Sequence, residues 1–464
     1  MSQLPPDAPL PQQQQPPQHP HAAAPRPGQA PPAAQPGQPP QQQWAPPPQQ
    51  WAPPEVDHAA AATAARGRSL APDLARGLML LLIALANVPW WLYGGEQGFT
   101  SAHPTGQEGA DLAWQLFSLV AIDGRSYPLF AFLFGYGIWQ LYSRQSAAGT
   151  PWREARRLLQ RRHAWMVALG AVHALLLWLG DIVGAYGLVG LIVVALLLRR
   201  SDRALRIVTW VLAGLLLGFG LLGLTSGLVL GSGVAGDVSQ FGAPAGLPQP
   251  PAESNYLLFA IQSLGMWLVA TPAQVFSLTV PLAVVLGMLA ARRGLLDRPA
   301  EHRATLVRIA IAGILVGWAG GALAAAQHAG ALLAPELSWA TMGLSSLAGV
   351  AGGVGYAALF GLVAAAIGER RGPVSGAIAA VGKRSLSSYL LQSVLFAPLL
   401  AAWGLGLGGV LSPLQAAGVA AGVWLVTLVV AAVLERTGRR GPAEVLLRRL
   451  AYGRRQVAEP SPLR

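Results

Sequence analysis

The sequence predicts an all-α, polytopic transmembrane helical bundle of about ten spans, with both termini in the cytoplasm. Three observations carry this. The chain is 464 residues long, 53% hydrophobic and only 11% charged, with a mean hydropathy of +0.43. Soluble domains carry about 25% charged residues, so these cannot clothe a water-facing surface of that size. Long apolar runs recur from residue 74 to 434, and the short connections between them alternate strictly in charge.

The alternation fixes orientation. Residues 143–163 hold six Arg against Glu154, 199–206 hold four Arg against Asp202, and 292–308 hold five Arg against Asp297 and Glu301. Residues 369–384 hold Arg370, Arg371, Lys383 and Arg384 against Glu369, and the tail after 435 is again basic. The other connections hold no Arg or Lys, only Glu96, Glu108, Asp111, Asp181, Asp237, Glu253 and Glu336. Basic loops stay in the cytoplasm, so the number of spans is even. The net charge of +12 is therefore a topology signal, and no nucleic-acid partner is expected. The partners are the lipid bilayer and a small-molecule substrate. With no cysteine, disulfides, thiolate metal sites and a cysteine nucleophile are excluded, and no metal site is expected.

Residues 1–65 are built from Pro, Gln and Ala, with Trp44 and Trp51 in a repeated QQWAPP unit. Such a segment cannot bury enough apolar surface to offset its ordering entropy, and it is expected to be a disordered cytoplasmic tail. Its polyproline character also suits a partner domain, whose identity the sequence leaves unknown. The membrane domain covers 66–455, and 456–464 is a short tail.

The spans fall at 74–94, 115–142, 164–180, 182–198, 207–230, 273–291, 306–327, 340–367, 386–403 and 414–434. The second is over-long and interrupted by Asp123-Gly124-Arg125. Residues 254–271 are placed as a re-entrant or interfacial helix, because another crossing upsets the charge alternation. Gly349–Gly353 and Gly214–Gly218 have the small-xxx-small spacing that lets helices approach closely.

Polar residues inside such spans are costly and point to function. Residues 161–192 read as a hairpin that crosses and returns, with His173 at mid-membrane and Asp181 at the outer tip. Eight residues of helix separate the two by about 12 Å, which is too far for direct contact but allows one cavity. Asn87 on the first span, and Asp123 and Arg125 on the second, are expected at similar depth. His173 is then the natural general base, Asn87 a group that polarises or holds the acceptor, and Asp181 an orienting charge. At the cytoplasmic end, Asp73 and Arg76 share a helix face, as a plain anchor or part of a substrate site. Lys383 and Arg384 similarly serve as positive-inside anchors or attract a phosphorylated substrate. Ser388 and Gln392 follow at i,i+4 spacing and face the bundle.

Five stretches carry a family resemblance: SLAPDLARG at 69–77 with Asn87 ten residues on, LFAFLFGYG at 129–137, GAVHALLLWLGDIVGAYGLVG at 170–190, VGKRSLSSYLLQS at 381–393, and GPAEVLLRRL at 441–450. In this order they resemble the YeiB-like bacterial membrane proteins, of the DUF418 type, a family of unknown function. The resemblance implies a multi-pass protein of the bacterial cytoplasmic membrane. Ser387 and Ser388 stand where that family commonly has Thr-Asn, which removes a side-chain amide. More remotely, Asp73-x-x-Arg76-Gly77 with Asn87 resembles the start of transmembrane acyltransferases that acetylate sugars from acyl-CoA, and in that group a membrane His is the base. The resemblance makes acyl-CoA a co-substrate, with no bound cofactor. Two main readings follow: an acyltransferase delivering to an extracytoplasmic acceptor, with His173, Asn87 and Asp181 catalytic, or a small-metabolite transporter using the same polar groups as its translocation site. A third is a scaffold whose Pro/Gln head recruits a partner. Spacing alone does not separate them.

Overall fold

The computed structural model describes residues 70–98, 101–234, 249–368 and 372–453. The Pro/Gln-rich head at 1–65 and the tail at 456–464 lie outside these residues, as do Asp237, Glu369, Arg370 and Arg371. The described residues form fourteen α-helices, with no strand beyond one isolated bridge between Gln97 and Pro104.

The helices are α1 (Leu70–Asn87), α2 (Gly109–Ala121), α3 (Ser126–Ala147), α4 (Trp152–Leu176), α5 (Val183–Leu196), α6 (Asp202–Val229) and α7 (Tyr256–Phe276). The remainder are α8 (Thr279–Arg292), α9 (Arg303–His328), α10 (Met342–Ile367), α11 (Pro373–Lys383), α12 (Ser385–Leu400), α13 (Pro413–Arg436) and α14 (Pro442–Tyr452). Their ends follow local chemistry. Pro72 sits in the first turn of α1, where its missing N–H is harmless, and Pro89 turns the chain into a 3₁₀ turn at Val88–Trp91. Ser201 and Asn255 cap α6 and α7, and Ser412 with Gln415 forms a reciprocal capping box on α13.

Seven helical segments are long and apolar enough to cross a bilayer: Leu70–Trp91, Gly109–Ala147, Asp202–Val234, Tyr256–Phe276, Arg303–His328, Pro335–Ile367 and Pro413–Arg436. Val183–Leu196, Thr279–Arg292 and Ser385–Leu400 are shorter apolar helices. The break expected at Asp123-Gly124-Arg125 is present, since α2 stops at Ala121 and α3 starts at Ser126, with Gly124 at φ +71°. Residues 254–271, expected to be re-entrant or interfacial, lie mostly in α7, whose 21 residues have the length and apolarity of a span.

Hydrophobicity does not hold helices together in lipid, so close backbone approach does. A methyl group on Gly135 of α3 would collide with the Val284 carbonyl of α8, and one on Gly287 of α8 with the Phe132 carbonyl of α3. Gly349 and Gly353 behave as expected, lying against Gly124 and Leu129 at the start of α3. The second small-residue pair does not. Gly214 and Gly218 have nothing within 4 Å of where a Cβ would stand, and α6 instead meets α10 through Gly220 and Gly343. Two small residues one turn apart permit an approach, but only a partner helix on that face makes one.

Candidate functional site

The site forms where α4 ends. The Leu177 and Trp178 N–H groups both donate to the His173 carbonyl, at 2.8 and 3.1 Å, and the chain then turns back over 177–182 before α5 begins. This turn corrects the expected 12 Å separation. The helix stops at Leu176, so the later residues do not climb its axis, and Asp181 folds down beside His173. His173 Nδ1 lies 2.8 Å from Asp181 Oδ2. Asp181 lies in the turn of the hairpin, between α4 and α5, and is buried there: its side chain is 0% exposed and that of His173 2%.

Asp181 is held from three sides. Its Oδ2 faces His173, while Oδ1 accepts the Gly184 N–H at 2.7 Å and the Trp267 Nε1–H at 3.3 Å. The Gly184 bond satisfies an amide at the start of α5, and the Trp267 bond reaches across from α7. Two glycines make the space. A methyl group at Gly170 would collide with Asp181 Oδ1 and the Gly184 backbone, and one at Gly184 with the Trp267 ring. A carboxylate facing Nδ1 keeps the proton of neutral imidazole on that nitrogen and leaves the lone pair on Nε2. Nε2 is buried and has no hydrogen-bond partner among the described residues.

Around this dyad, the Tyr389 ring lies 5.4 Å from the His173 ring, and the Tyr389 hydroxyl accepts the Ile182 N–H at 3.4 Å. Gln392, one turn along α12, donates to the Leu80 carbonyl of α1 at 3.1 Å, and Ser388 is buried on the same helix. Trp178 stacks on Trp91 at 4.6 Å, which ties the turn to the segment just after Asn87. Asn87 itself is half-buried at the last position of α1.

Asp123 and Arg125 belong to a different cluster. Asp123 Oδ2 meets His103 Nε2 at 2.8 Å, and the His103 ring lies 6.0 Å from His328, whose Nε2 bonds Gln115 Oε1 at 3.2 Å. Arg125 is buried and donates to the carbonyls of Leu119, Asp123 and Gly317, pinning the α2–α3 break onto α9. None of the hydrogen bonds or ring contacts of His173 and Asp181 reaches this cluster, so the five expected polar groups divide into at least two sets.

At the start of α1, the end expected to be cytoplasmic, Arg76 Nη1 lies 3.3 Å from Asp73 Oδ1. Lys383 pairs with one oxygen of Glu435, and Arg384 bonds the other at 2.7 Å and donates to the Arg439 carbonyl. Ser387 is taken up by Glu444 of α14, which also accepts the Leu386 and Ser387 N–H groups at 2.9 and 3.1 Å and so caps α12. Sequence reasoning missed Trp267, Glu444 and His103. Trp267 is one of 15 tryptophans, and nothing local marks it as the partner of a carboxylate 86 residues earlier. No group of three His, Asp or Glu side chains suited to a metal occurs among the described residues.

Residues 290–454 match the family described as Protein of unknown function (DUF418). The chain is 27% identical over 406 residues to the Uncharacterized protein YxaH of Bacillus subtilis (strain 168), covering 82% of this chain and 93% of that protein. It is 34% identical over 130 residues to the Uncharacterized protein YeiB of Escherichia coli (strain K12), covering 27% of this chain and 30% of that protein. With the helical membrane-type architecture, these matches support a YeiB-like, DUF418-type relationship, carried by the family match over residues 290–454 and the similarity to YxaH and YeiB.

Proposed function

We propose that this protein is an acyltransferase embedded in the bacterial cytoplasmic membrane, moving an acyl group from acyl-CoA to a hydroxyl-bearing extracytoplasmic acceptor. The observation that carries the reading is the buried dyad: His173 Nδ1 on Asp181 at 2.8 Å with Nε2 unpaired. A base needs its lone pair free, its tautomer fixed and water kept away, and the dyad meets all three needs.

The reaction balances without a further co-reactant. His173 Nε2 takes the proton of the acceptor hydroxyl as its oxygen attacks the thioester carbonyl. The C–S bond breaks, and the CoA sulfur leaves with the proton returned by the imidazolium. The products are an ester and free CoA thiol. Asp181 stabilises the imidazolium and holds the ring in place. The donor phosphates bind at the cytoplasmic end, which loop charge assigns to the same side as both termini. Arg76, Lys383 and Arg384 are the cations nearest that entry, and a donor phosphate would have to compete with the carboxylates they already meet, Asp73 for Arg76 and Glu435 for Lys383 and Arg384. The Asp73-x-x-Arg76-Gly77 start, similar to that of transmembrane acyltransferases, supports the same reading.

The test is transfer of labelled acyl group from acyl-CoA into a bacterial envelope extract by purified protein. General-base catalysis contributes about 10²–10⁴-fold, so His173→Gln should lose at least the lower figure while remaining folded. An unchanged rate sinks the assignment. One observation favours the transporter instead: α7 contains Pro272, and Leu278, at φ +64°, separates it from α8, and broken helices line many translocation sites. Substrate flux into proteoliposomes without any acyl donor would decide for it.

A further inference from the structure

Four buried polar groups near the dyad have no hydrogen-bond partner among the described residues: His173 Nε2, Trp178 Nε1, Ser263 Oγ and Thr271 Oγ1. Two of them sit on α7, one turn before and one turn after Trp267. Residues 263, 267 and 271 are spaced by four and share the inward face of that helix, at 0%, 5% and 3% exposure. Buried hydroxyls ordinarily bond a carbonyl of their own helix. Leaving them unpaired costs free energy that a ligand with matching groups recovers.

We propose that this inner face of α7 is the acceptor subsite of the dyad, and that the acceptor is a lipid-anchored molecule with a hydroxyl-bearing headgroup, entering sideways from the bilayer past α7. The inference rests on the acyl-transfer reading and names its acceptor class. The way from outside water is roofed by rings: Trp91 on Trp178 at 4.6 Å, and Trp403 against Tyr256 and Phe259 at 5.0 and 5.7 Å. The way from lipid is one helix thick. On the exposed sides of the same helix, Leu257, Ile261, Leu268 and Val269 are 56–73% exposed and greasy. They suit an acyl tail, while the inner hydroxyls and the Trp178 N–H suit the oxygens of a headgroup.

The wall is also built to move. Pro272 withdraws a hydrogen bond from α7 just below Thr271. Leu278, at its lower end, is the one non-glycine among the described residues with positive φ. Swinging α7 outward breaks the Trp267–Asp181 bond, and headgroup hydroxyls replace it while presenting one O–H to His173 Nε2. The transfer then yields a lipid-borne ester and free CoA thiol.

The experiment uses the full chain in phosphatidylcholine nanodiscs with a phosphatidylglycerol probe carrying a photoactivatable diazirine in its headgroup. Adducts are mapped by mass spectrometry. The expected result is labelling of the inner face of α7 around Ser263 and Thr271, competed by unlabelled phosphatidylglycerol. Competition should weaken about tenfold in the Ser263→Ala/Thr271→Ala variant, which removes two ordinary hydrogen bonds. Adducts confined to Leu257, Ile261, Leu268 and Val269, as for any lipid-facing helix, overturn the proposal. The map needs no catalysis, so it survives or fails independently of the base assignment. If acyl transfer occurs but the label partitions only into water-soluble product, the lipid acceptor is refuted and the dyad is not.

Discussion

Replacing Asp181 by Asn separates the position of this side chain from its charge. Asn keeps an oxygen for the Gly184 N–H at 2.7 Å and the Trp267 N–H at 3.3 Å, but turns an NH₂ group toward His173 Nδ1 at 2.8 Å. Two N–H groups then oppose each other unless the imidazole moves its proton to Nε2. That tautomer repairs the hydrogen bond and removes the lone pair that takes the acceptor proton. The charge-assisted bond contributes about 1.5–3 kcal/mol and its neutral replacement about 0.5–1.5, while the burial cost of the carboxylate is relieved. The net stability change is therefore expected to stay within about 2 kcal/mol. Catalysis should fall far more, on the order of 10⁴-fold where the same change of tautomer occurs in a serine-protease triad. Asp181→Ala is the companion variant, since it strands the Gly184 and Trp267 N–H groups at about 1–3 kcal/mol each and should unfold at lower temperature. Thermal unfolding in detergent and acyl transfer are measured side by side. A transfer rate within about threefold of wild type in Asp181→Asn, equivalent to less than 1 kcal/mol of barrier, would refute the base mechanism.

Three further substitutions probe the frame around the site. Gly170→Ala places a methyl group against Asp181 and the Gly184 backbone and should cost about 1–3 kcal/mol, whereas Gly214→Ala, facing open space, should be neutral or stabilise α6 by up to about 1 kcal/mol; equal unfolding temperatures would contradict the packing. Glu444→Ala frees three groups at the start of α12 and should destabilise by about 1–3 kcal/mol, with faster amide exchange at Leu386 and Ser387; unchanged exchange there would show that α12 is capped by other means.

Apolar run length and composition were enough to read an all-α membrane architecture, because a bilayer demands helices whose backbone bonds are internal. The interruption at Asp123-Gly124-Arg125 was equally legible, since charge and glycine together stop an apolar helix there. His173 and Asp181 were marked individually, because ionisable groups are rare in such runs. Their contact was hidden. Counting 1.5 Å per residue assumed that α4 continued past Leu176, and nothing in LLLWLGDIV announces that it does not. Gly214–Gly218 shows the converse error, a packing motif without a helix to pack on.

Local composition and spacing are enough to read the apolar surroundings of this protein, its helical class and its chemically conspicuous residues. Which of those residues meet is a matter of the packed fold. It brought Trp267 to Asp181 from 86 positions away, gave Glu435 to Lys383 and Arg384, and sent Asp123 to His103 instead of His173. Those choices depend on how helices turn and cross, and one residue of extra helix before Leu177 would rotate His173 and Asp181 by about 100° relative to each other.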